Sequence, residues 1–500
     1  MNRKHVVVIG GSVAGMATAL ALDEHGHRVT VLEKEVLPRC QTAVEAFELW
    51  ERRGAPQSRH SHAFLARLHN SIRERRPTLY AELMEAGAEQ LRFKDMVDEV
   101  YEAPEFIPED DEIVLLACRR ITFDWVLRRH LEKHTEIEYR DGVAVEGLEA
   151  SRDEGSGLPH VTGVRLAASE GDGCAAEVLR ADLVVDASGR NSKLKHWLAE
   201  IGSAPLEEES ESCGIFYCSR FYRVRDGVTP PKIEGPIGAD LGYMKYAIFP
   251  GDSGIFSITL AAERHDDAMR KLRNVEAFEA ASATLPATRA WVDPAVSEPV
   301  TDVYTYANLK NTLRFFVVEG TPLALGFFPI GDALVHANPI SGRGCTLSWL
   351  GSYLLADAYA AHPDEPLAFA RTLFAGVERE LIPWYLNMRD QDRAANERGR
   401  MEASGEDPFA FEREDGTIDP KAYMHSLLRD GLLPALTEDL SVLRAFMRVF
   451  NMLDAPADIL KDSELLMRVM AVWQRRGERD PIRLGPARSE MLEQLKQTAA

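Results

Sequence analysis

The beginning of the chain has the clearest pattern of apolar and polar positions. Residues 5–9 form a continuous apolar run, which predicts a parallel β-strand buried on both faces. A glycine-rich turn follows at residues 10–15, and apolar spacing over residues 16–25 predicts a helix. Residues 28–33 are again apolar and predict a second strand. The segment therefore predicts strand, turn, helix and strand, the order in which many α/β domains begin.

The pattern changes at about residue 213 and again at about residue 311. Between these positions the apolar runs are aromatic and separated by Gly and Pro, which is typical of an antiparallel sheet. Beyond residue 366 the spacing is helical, apart from an acidic loop at residues 402–420. The other predicted elements are strands at 113–118, 183–186 and 323–326, a hairpin of 143–148 with 161–166, a helix carrying Phe123, Val126, Leu127 and Leu131, and a long helix from about residue 346.

Composition and charge exclude several classes of protein. The chain carries 58 basic and 79 acidic residues, a net charge of −21, which argues against nucleic-acid binding and against a basic membrane-docking patch. Its six cysteines form no CxxC pair, so we expect no disulfide scaffold and no metal site. No uninterrupted apolar stretch is long enough to predict a transmembrane helix. We therefore expect a cytoplasmic protein.

The glycine turn and the acidic residue after the second strand predict a dinucleotide site. Gly10 and Gly15 occupy the first and third positions of the dinucleotide-binding pattern, whereas Ser12 stands at the second. Backbone N–H groups at the helix start can bind a pyrophosphate, and a carboxylate after the second strand can bind ribose hydroxyls. The cofactor-binding candidates here are Gly10, Ser12, Val13, Ala14, Gly15, Glu33 and Lys34.

A second motif lies about 300 residues further along the chain, at residues 331–344. Asp332 follows a predicted strand, together with Gly331, and can bind a ribityl hydroxyl. The turn containing Pro339, Gly342 and Gly344 can then place bare backbone against a flat ring, because glycine has no Cβ to collide with it. We predict that the two motifs are halves of one site. We call the turn containing Pro339, Gly342 and Gly344 the ring-facing turn and expect it to contact the ring. We assign no catalytic side chain.

These patterns predict a Rossmann-like, glutathione-reductase-type α/β fold. We expect a discontinuous cofactor-binding domain over residues 1–200 and 311–360. An inserted, mainly antiparallel substrate-binding domain would cover residues 201–310, and a helical region residues 361–500. A length of 500 residues is compatible with about three domains or subdomains.

The motifs resemble those of FAD-dependent monooxygenases of the para-hydroxybenzoate hydroxylase and squalene epoxidase type. The resemblance covers about residues 5–350 and is carried by residues 6–15 with Glu33, by residues 186–190 and by residues 331–344. The segments PQSRHSH (56–62) and CRRITFDW (118–125) are similar to segments of bacterial epoxidases of polyether biosynthesis.

The resemblance implies how FAD would lie on this chain. Its adenosine would bind Glu33, its pyrophosphate residues 10–15, and its ribityl chain Asp332. Arg120 would lie near the phosphates or the ribityl chain, and Arg59 near the ring or the pyrophosphate. Each arginine could equally be a surface charge or an ordinary helix-start residue.

Other polar and aromatic residues have weaker interpretations. His60 and His62 alternate along the chain, so at least one is expected to be structural, and further metal ligands are lacking nearby. Asp390 and Asp392 diverge on a predicted helix and are expected to be solvated. His336 and Cys345 are expected to be packed beside the ring turn. Aromatic residues proposed to line an apolar substrate cavity are Phe216, Phe221, Tyr246 and Phe249.

The resemblance implies insertion of one oxygen atom from O2 into an apolar small molecule, by epoxidation or hydroxylation through a flavin C4a-hydroperoxide. A flavin-dependent C=C reductase or dehydrogenase of the geranylgeranyl-reductase type, and a non-catalytic FAD-fold binding protein, remain alternatives. A halogenase is disfavoured, because Trp291–Pro294 does not match the WxWxIP segment of those enzymes. The electron donor would be NAD(P)H or a partner flavin reductase. The substrate, the oligomeric state and the role of the last 120 residues stay open.

Overall fold

A computed structural model describes residues 3–62, 64–97, 101–167, 177–233, 236–413, 415–480 and 482–497. Within these ranges no helix combines the length and the apolar character needed to cross a membrane.

The strands fall into several sheets, most of them antiparallel. In chain order they are β1 (His5–Ile9), β2 (Arg28–Glu33), β3 (Glu89–Arg92), β4 (Val114–Ala117), β5 (Glu138–Asp141), β6 (Val145–Arg152), β7 (Pro159–Leu166), β8 (Val178–Arg180), β9 (Leu183–Asp186), β10 (Glu207–Ser212), β11 (Ile215–Val224), β12 (Gly238–Asp240), β13 (Met244–Pro250), β14 (Ile255–Glu263), β15 (Ser297–Pro299), β16 (Tyr304–Tyr306), β17 (Lys310–Phe315), β18 (Val317–Val318), β19 (Thr321–Pro322), β20 (Phe327–Pro329) and β21 (Val335–His336).

Helices surround these sheets and make up most of the C-terminal region. In chain order they are α1 (Val13–Glu24), α2 (Ala43–Leu49), α3 (Ala66–Arg75), α4 (Pro77–Glu85), α5 (Phe93–Val97), α6 (Arg120–His134), α7 (Leu194–Glu200), α8 (Val275–Thr284), α9 (Pro286–Arg289), α10 (Gly344–Ala361), α11 (Pro366–Glu380), α12 (Ile382–Ser404), α13 (Pro420–Ser426), α14 (Leu433–Glu438), α15 (Leu440–Phe450), α16 (Asp458–Lys461), α17 (Ser463–Gln474) and α18 (Arg488–Gln497). A π-helical segment, Leu427–Leu432, joins α13 to α14.

A parallel sheet with the strand order β20-β9-β1-β2-β5 organises the first part of the fold. Its central strand β1 carries three completely buried valines, because α1 covers it and packs in turn against α10. All neighbouring strands are parallel, so their carboxyl ends lie at one edge. That edge is where ligands bind in open α/β sheets.

A second sheet is antiparallel and has the order β12-β13-β14-β11-β15, with β16 also paired to β11. One of its faces forms a separate hydrophobic core with α8 and α18. The other face meets the parallel-sheet part of the chain, where Phe221 packs edge-on against Phe47 of α2 with ring centroids 5.1 Å apart. The predicted mixed α/β fold with an antiparallel sheet and C-terminal helices is confirmed.

The local predictions differ from the structure mainly at element ends. The first helix begins at Val13 rather than at residue 16, since the glycine turn runs directly into it. Residues 38–62, for which no element is predicted, contain α2 and a 3-10 turn, Pro56–Arg59. The hairpin of β6 and β7 forms as predicted. The returning strand β20 begins at Phe327, after residues 323–326.

Candidate cofactor and active site

The carboxyl edge of the parallel sheet brings four separate segments together. β1 ends at the glycine turn, β2 ends at Glu33, β9 ends at Asp186, and β20 leads into Gly331. Side chains and turns that lie more than 300 residues apart in the sequence therefore meet here, as the two motifs predict.

The glycine turn is closed so tightly that its glycines are required by sterics. A Cβ atom on Gly15 would overlap the carbonyl oxygen of Gly10, and one on Gly10 would lie 2.6 Å from the carbonyl oxygen of Ala187. Ser12 is the N-cap residue of α1, and its side chain does not cap the helix. The first N–H groups of α1 are thus free to bind an anion at the positive end of the helix dipole.

Glu33 lies beneath this turn, and its carboxylate is held in place. It accepts hydrogen bonds from the backbone N–H groups of Gly11 at 2.9 Å and Glu35 at 3.0 Å. The guanidinium of Arg52, with only 3% of its side chain exposed, lies 3.4 Å from the same carboxylate. Arg52 was not identified from the sequence, although its place in an Arg-Arg-Gly run before the PQSRHSH segment was a signal. The adjacent Lys34 is exposed.

The second motif touches the first directly. A Cβ atom on Gly331 would lie 2.9 Å from the Cβ atom of Ala14 in α1. The carboxylate of Asp332 is partly exposed and lies 3.9 Å from Nε2 of His336. His336 in turn contacts the carbonyl oxygen of Lys310 through Nδ1 at 2.6 Å, so it is packed and hydrogen-bonded beside the site.

Arg120 connects the two motifs. As the first residue of α6, it donates to Ser12 Oγ at 3.1 Å and lies 3.2 Å from Cys345 Sγ at the start of α10. Its Nε donates to Asp124 one turn later, at 2.8 Å. Burial alone would lower the pKa of Arg120, but Asp124 raises it overall, so the guanidinium stays charged. The Cys345 thiol stays protonated, because burial raises its pKa to about 11.

The ring-facing turn is shaped by a left-handed glycine and held by a C-terminal helix. Gly342 has φ +69°, a conformation in which other residues are strained. Asn338 caps the turn through Ile340 N, and its side-chain amide donates to Asp392 of α12 at 2.8 Å. Asp392 also accepts from Asn311 at 2.7 Å, and burial raises the pKa of its carboxyl. The prediction that Asp392 is solvated is therefore wrong, because α12 packs its side chain against this turn.

Asp390, Ser341 and Gly344 have different surroundings. Asp390 faces outward and pairs with Arg389 and Arg393, as expected of a solvated charge. Ser341 lies 3.0 Å from the sulfur of Met388. The position of a Cβ atom on Gly344 faces open space.

Arg343 adds a positive charge between Gly342 and Gly344. Its guanidinium stacks on Trp384 at 4.6 Å and donates to Asn387 at 2.9 Å. Burial lowers its pKa to about 10, and no carboxylate among the described residues pairs with it. The residue therefore remains cationic at neutral pH, next to the positive end of α10.

The predicted substrate-cavity residues divide between the two faces of the antiparallel sheet. Phe221 and Phe249 lie on the face that meets the parallel-sheet part of the chain. Phe216 and Tyr246 point the other way, into the core formed with α8 and α18, so their assignment to the cavity is wrong. Strand side chains alternate between faces, and Phe216 and Phe221 have opposite parity.

On the inward face, tyrosines and hydroxyls surround His60. Its ring lies 4.8 Å from that of Tyr217 and 5.4 Å from that of Tyr306. Its Nδ1 lies 2.9 Å from Ser219 Oγ, and the hydroxyls of Ser219, Thr259, Ser61 and Ser257 follow in a chain of 2.7 Å contacts. Burial lowers the pKa of His60 to about 3, so the ring is neutral. Tyr217 and Tyr306 also pack near Ile340 of the ring-facing turn.

His62 and Arg59 have local partners. The Nδ1 of His62 lies 3.0 Å from the carbonyl oxygen of His60, and its Nε2 lies 3.4 Å from Arg120. Arg59 donates to the carbonyl oxygens of Phe47 and Trp50 at the end of α2. These contacts give Arg59 a structural role, and its predicted contact with the cofactor stays a prediction.

The residues present fit FAD. The glycine turn has no room for Cβ atoms but leaves the first N–H groups of α1 free for a pyrophosphate. Glu33 is the last residue of β2, the strand beside β1, and therefore lies close to that turn. A carboxylate at this position binds the ribose in dinucleotide sites. Gly344 faces open space, and Arg120 joins the pyrophosphate turn to the start of α10. The free N–H groups of α1 suit a pyrophosphate, and the open space at Gly344 suits a flat ring.

Comparison with known proteins agrees with this geometry. Residues 5–110 match the family described as FAD dependent oxidoreductase. The Mycobacterium tuberculosis protein Rv3254 is 26% identical over 369 residues, which cover 70% of this chain and 71% of that protein. Among solved structures, the flavin-dependent brominase Bmp2 has a TM-score of 0.56 at 16% identity, covering 96% of this chain and 100% of its own. OxyS anhydrotetracycline hydroxylase from Streptomyces rimosus has a TM-score of 0.55 at 18% identity, covering 91% and 76%.

The structural likenesses confirm the predicted fold class. The family match supports FAD as the cofactor and an FAD-dependent oxidoreductase as the class of enzyme. Because the solved structures include a brominase as well as a hydroxylase, likeness of fold alone does not distinguish oxygen insertion from halogenation.

Proposed function

We propose that this protein is an FAD-dependent monooxygenase that inserts one oxygen atom of O2 into an apolar small molecule. The observation that carries this proposal is the meeting of two distant motifs, in which Gly331 touches Ala14 and Arg120 joins Ser12 to Cys345. This arrangement supports one extended cofactor held from its pyrophosphate to its ring.

Residues of both motifs would hold the cofactor. The N-terminus of α1 would bind the pyrophosphate with help from Arg120. The Glu33 carboxylate would accept hydrogen bonds from the ribose hydroxyls. Asp332 would bind the ribityl chain, and the turn from Pro339 to Gly344 would lie against the ring. FAD supplies the exchange of electrons with a donor and with O2.

The chain's own groups would then position the substrate and control charge. Arg343 and the N-terminus of α10 provide positive potential at the ring-facing turn, which favours negative charge developing there. The inward sheet face, with Tyr217, Phe221 and Phe249, offers apolar surface for an apolar substrate and helps to exclude water. The neutral His60 and its chain of hydroxyls provide hydrogen-bond donors and acceptors at the same face.

We further propose the domain division stated above, with residues 1–200 and 311–360 binding FAD and residues 201–310 covering the substrate. The electron donor would be NAD(P)H or a partner flavin reductase, and the protein would be cytoplasmic. The resemblance of residues 56–62 and 118–125 to polyether epoxidases makes epoxidation the reaction to test first.

The decisive experiment follows the fate of labelled oxygen. FAD-loaded protein is supplied with a reductant and 18O2 and is incubated with a panel of terpenoid, polyene and phenolic compounds. We expect a product that contains one labelled oxygen atom. A product that gains or loses two hydrogen atoms without oxygen would establish the C=C reductase or dehydrogenase instead. Failure to bind FAD at all would overturn the proposal and favour the non-catalytic binding protein.

A matched pair of variants connects that result to the site. Asp332→Ala should reduce both FAD content and product formation, because it removes the proposed ribityl ligand. Asp364→Ala, in an exposed ion pair with Lys4, should leave both unchanged.

A further inference from the structure

A cluster of two histidines and a glutamate lies at the end of α6 away from the cofactor site. His130 and His134 occupy positions i and i+4 of that helix, and Glu82 comes from α4. His130 Nδ1 lies 2.8 Å from one oxygen of Glu82, and His134 Nε2 lies 2.7 Å from the other. At 1.5 Å per residue, His130 is about 15 Å along the helix from Arg120.

The arrangement of these three groups is that of metal ligands. One nitrogen of each histidine and an oxygen of Glu82 lie within 4.8 Å of one another. Two histidines spaced by four residues present their rings on one face of a helix, a spacing that is used to bind zinc. Imidazole nitrogens and carboxylate oxygens are both ordinary ligands of Zn2+, at about 2.0–2.2 Å. Only small movements would place one ion between the three atoms.

The backbone that carries these ligands is well anchored. Leu79 and Leu83 fix α4, and Leu127 and Leu131 fix α6, each at 1% exposure or less. The two helices pack against each other. An ion would therefore meet ligands that are already positioned, so that little conformational entropy is lost on binding.

Two neighbouring cations oppose a metal ion, but neither blocks the site. Lys133 lies 3.5 Å from Glu82, and its side chain is 67% exposed, so it can turn into solvent. Arg76 is engaged elsewhere, donating to the hydroxyl of Tyr353 and to Glu24. His134 is itself exposed, so a water molecule can reach the cluster as a further ligand.

We propose that Glu82, His130 and His134 bind one Zn2+ ion, with water as the fourth ligand, and thereby join α4 to α6. This site is separate from the FAD site and independent of the proposed reaction. It differs from the sequence-based expectation of no metal, which rested on spacing within single segments. Glu82 lies 48 residues before His130, so the histidine pair of α6 does not by itself reveal the third ligand in the sequence.

The test is a zinc titration of metal-free, FAD-loaded protein that carries no polyhistidine tag. Calorimetry should show one Zn2+ per chain, and binding of Co2+ should give the visible absorption bands of a tetrahedral site. His134→Ala should weaken Zn2+ binding at least about tenfold, because loss of even an outer-shell partner of a metal ligand costs about that much. Because His134 is exposed, this substitution should leave the fold intact. Glu82→Gln provides a second test of the same ligand set.

The matched control is His196→Ala. His196 also pairs with a glutamate at i+4, Glu200, on the exposed surface of α7. It should leave Zn2+ affinity unchanged, and none of the variants should alter the absorption spectrum of bound FAD. Absence of stoichiometric binding, or equal affinity in His134→Ala and the unsubstituted protein, would overturn the proposal and leave only a hydrogen-bonded cluster.

Discussion

Asp392 shows how one carboxylate can hold a turn that belongs to a distant part of the chain. Its two oxygens accept from the side-chain amides of Asn311 and Asn338. Asn338 in turn accepts from Ile340 N, so the shape of the ring-facing turn depends on this carboxylate. Asp392 is a positioning residue, since it acts on the turn through the two asparagines.

Asp392→Asn should destabilise the turn, because it replaces one acceptor oxygen with a donor and leaves one asparagine amide without a partner. Hydrogen bonds to charged groups contribute about 1.5–3 kcal/mol, and we expect the free energy of unfolding to fall by about that amount. FAD should also dissociate more readily. Urea unfolding and the quenching of FAD fluorescence measure the two effects. Asp390→Asn, two residues away and exposed, should change neither, and equal effects of the two substitutions would contradict this role.

The buried His60 should make the free energy of unfolding depend on pH. Burial lowers its pKa from 6.5 to about 3, so the unfolded chain binds a proton in this range that the native protein does not. The free energy of unfolding must therefore fall as the pH falls below about 6.5, by up to about 1.4 kcal/mol per pH unit for this one proton.

Urea unfolding of His60→Gln at several pH values between about 6.5 and 4.5 checks this contribution. In the variant, the slope of the free energy of unfolding against pH should be smaller by the contribution of about one proton. This holds whatever the absolute stability of the variant. His196→Gln, which changes an exposed histidine, should keep the original slope. An unchanged slope in His60→Gln would show that His60 is already accessible to protons in the native protein.

At this scale, the sequence predicts residues that belong to a local pattern and misses those whose role depends on a distant partner. Gly10, Gly15 and Glu33 follow fixed spacing along one strand, turn and helix, so they could be identified directly. Arg52 and Asp392 could not, because their partners become neighbours only when the strands and α12 pack together.

At the scale of elements, strand β11 shows what the alternation of side chains along a strand cannot predict. It carries buried aromatic side chains on both faces, since one face packs on α8 and α18 and the other on the parallel-sheet part of the chain. Period-two spacing separates Phe216 from Phe221 but does not reveal which face meets the parallel-sheet part of the chain. That choice is made by contacts such as the one between Phe221 and Phe47.

The start of α6 is tied to the antiparallel sheet by a buried ion pair. Arg119 and Asp252, with side chains 2% and 0% exposed, share several hydrogen bonds, including one of 2.8 Å from the backbone N–H of Arg119. Thr122 donates to the same carboxylate at 2.9 Å. The pair therefore fixes the helix end that carries Arg120.

Asp252→Ala should destabilise the protein by about 3–5 kcal/mol, because it leaves a buried arginine without its counter-charge. Denaturant unfolding measures the loss. The double substitution Arg119→Met with Asp252→Ala should recover a substantial part of it, since no uncompensated charge remains. A single-variant loss below about 1 kcal/mol would mean that water reaches Arg119.

At the scale of the whole molecule, the order of strands explains why the fold could be predicted better than the site. Buried apolar strands, a glycine turn and a returning strand leave few topologies, because parallel crossovers are right-handed. The order β20-β9-β1-β2-β5 then brings five strand ends to one edge, and four of these strands lead into the segments of the candidate site. The C-terminal region had no such pattern, and its helices fold partly on a hydrophobic cluster of their own.

The contacts between α12 and the ring-facing turn make the C-terminal region part of the proposed site, and this has a measurable consequence. Asn387, Met388 and Asp392 touch Arg343, Ser341 and Asn338, respectively.

FAD should therefore slow hydrogen exchange at residues 10–15 and 331–344, which would hold it in the proposed site, and also in the part of α12 around residues 387–392, which contacts the ring-facing turn. Helix α17 serves as an internal control, because it packs with α14, α15 and the π-helical segment rather than with the turn. Its exchange should be the same with and without FAD. Mass spectrometry of the two states measures all of these segments at once. Slower exchange at residues 10–15 and 331–344 without any change in α12 would show that the ring-facing turn is already rigid without the cofactor. Helix α12 would then support the turn without responding to FAD.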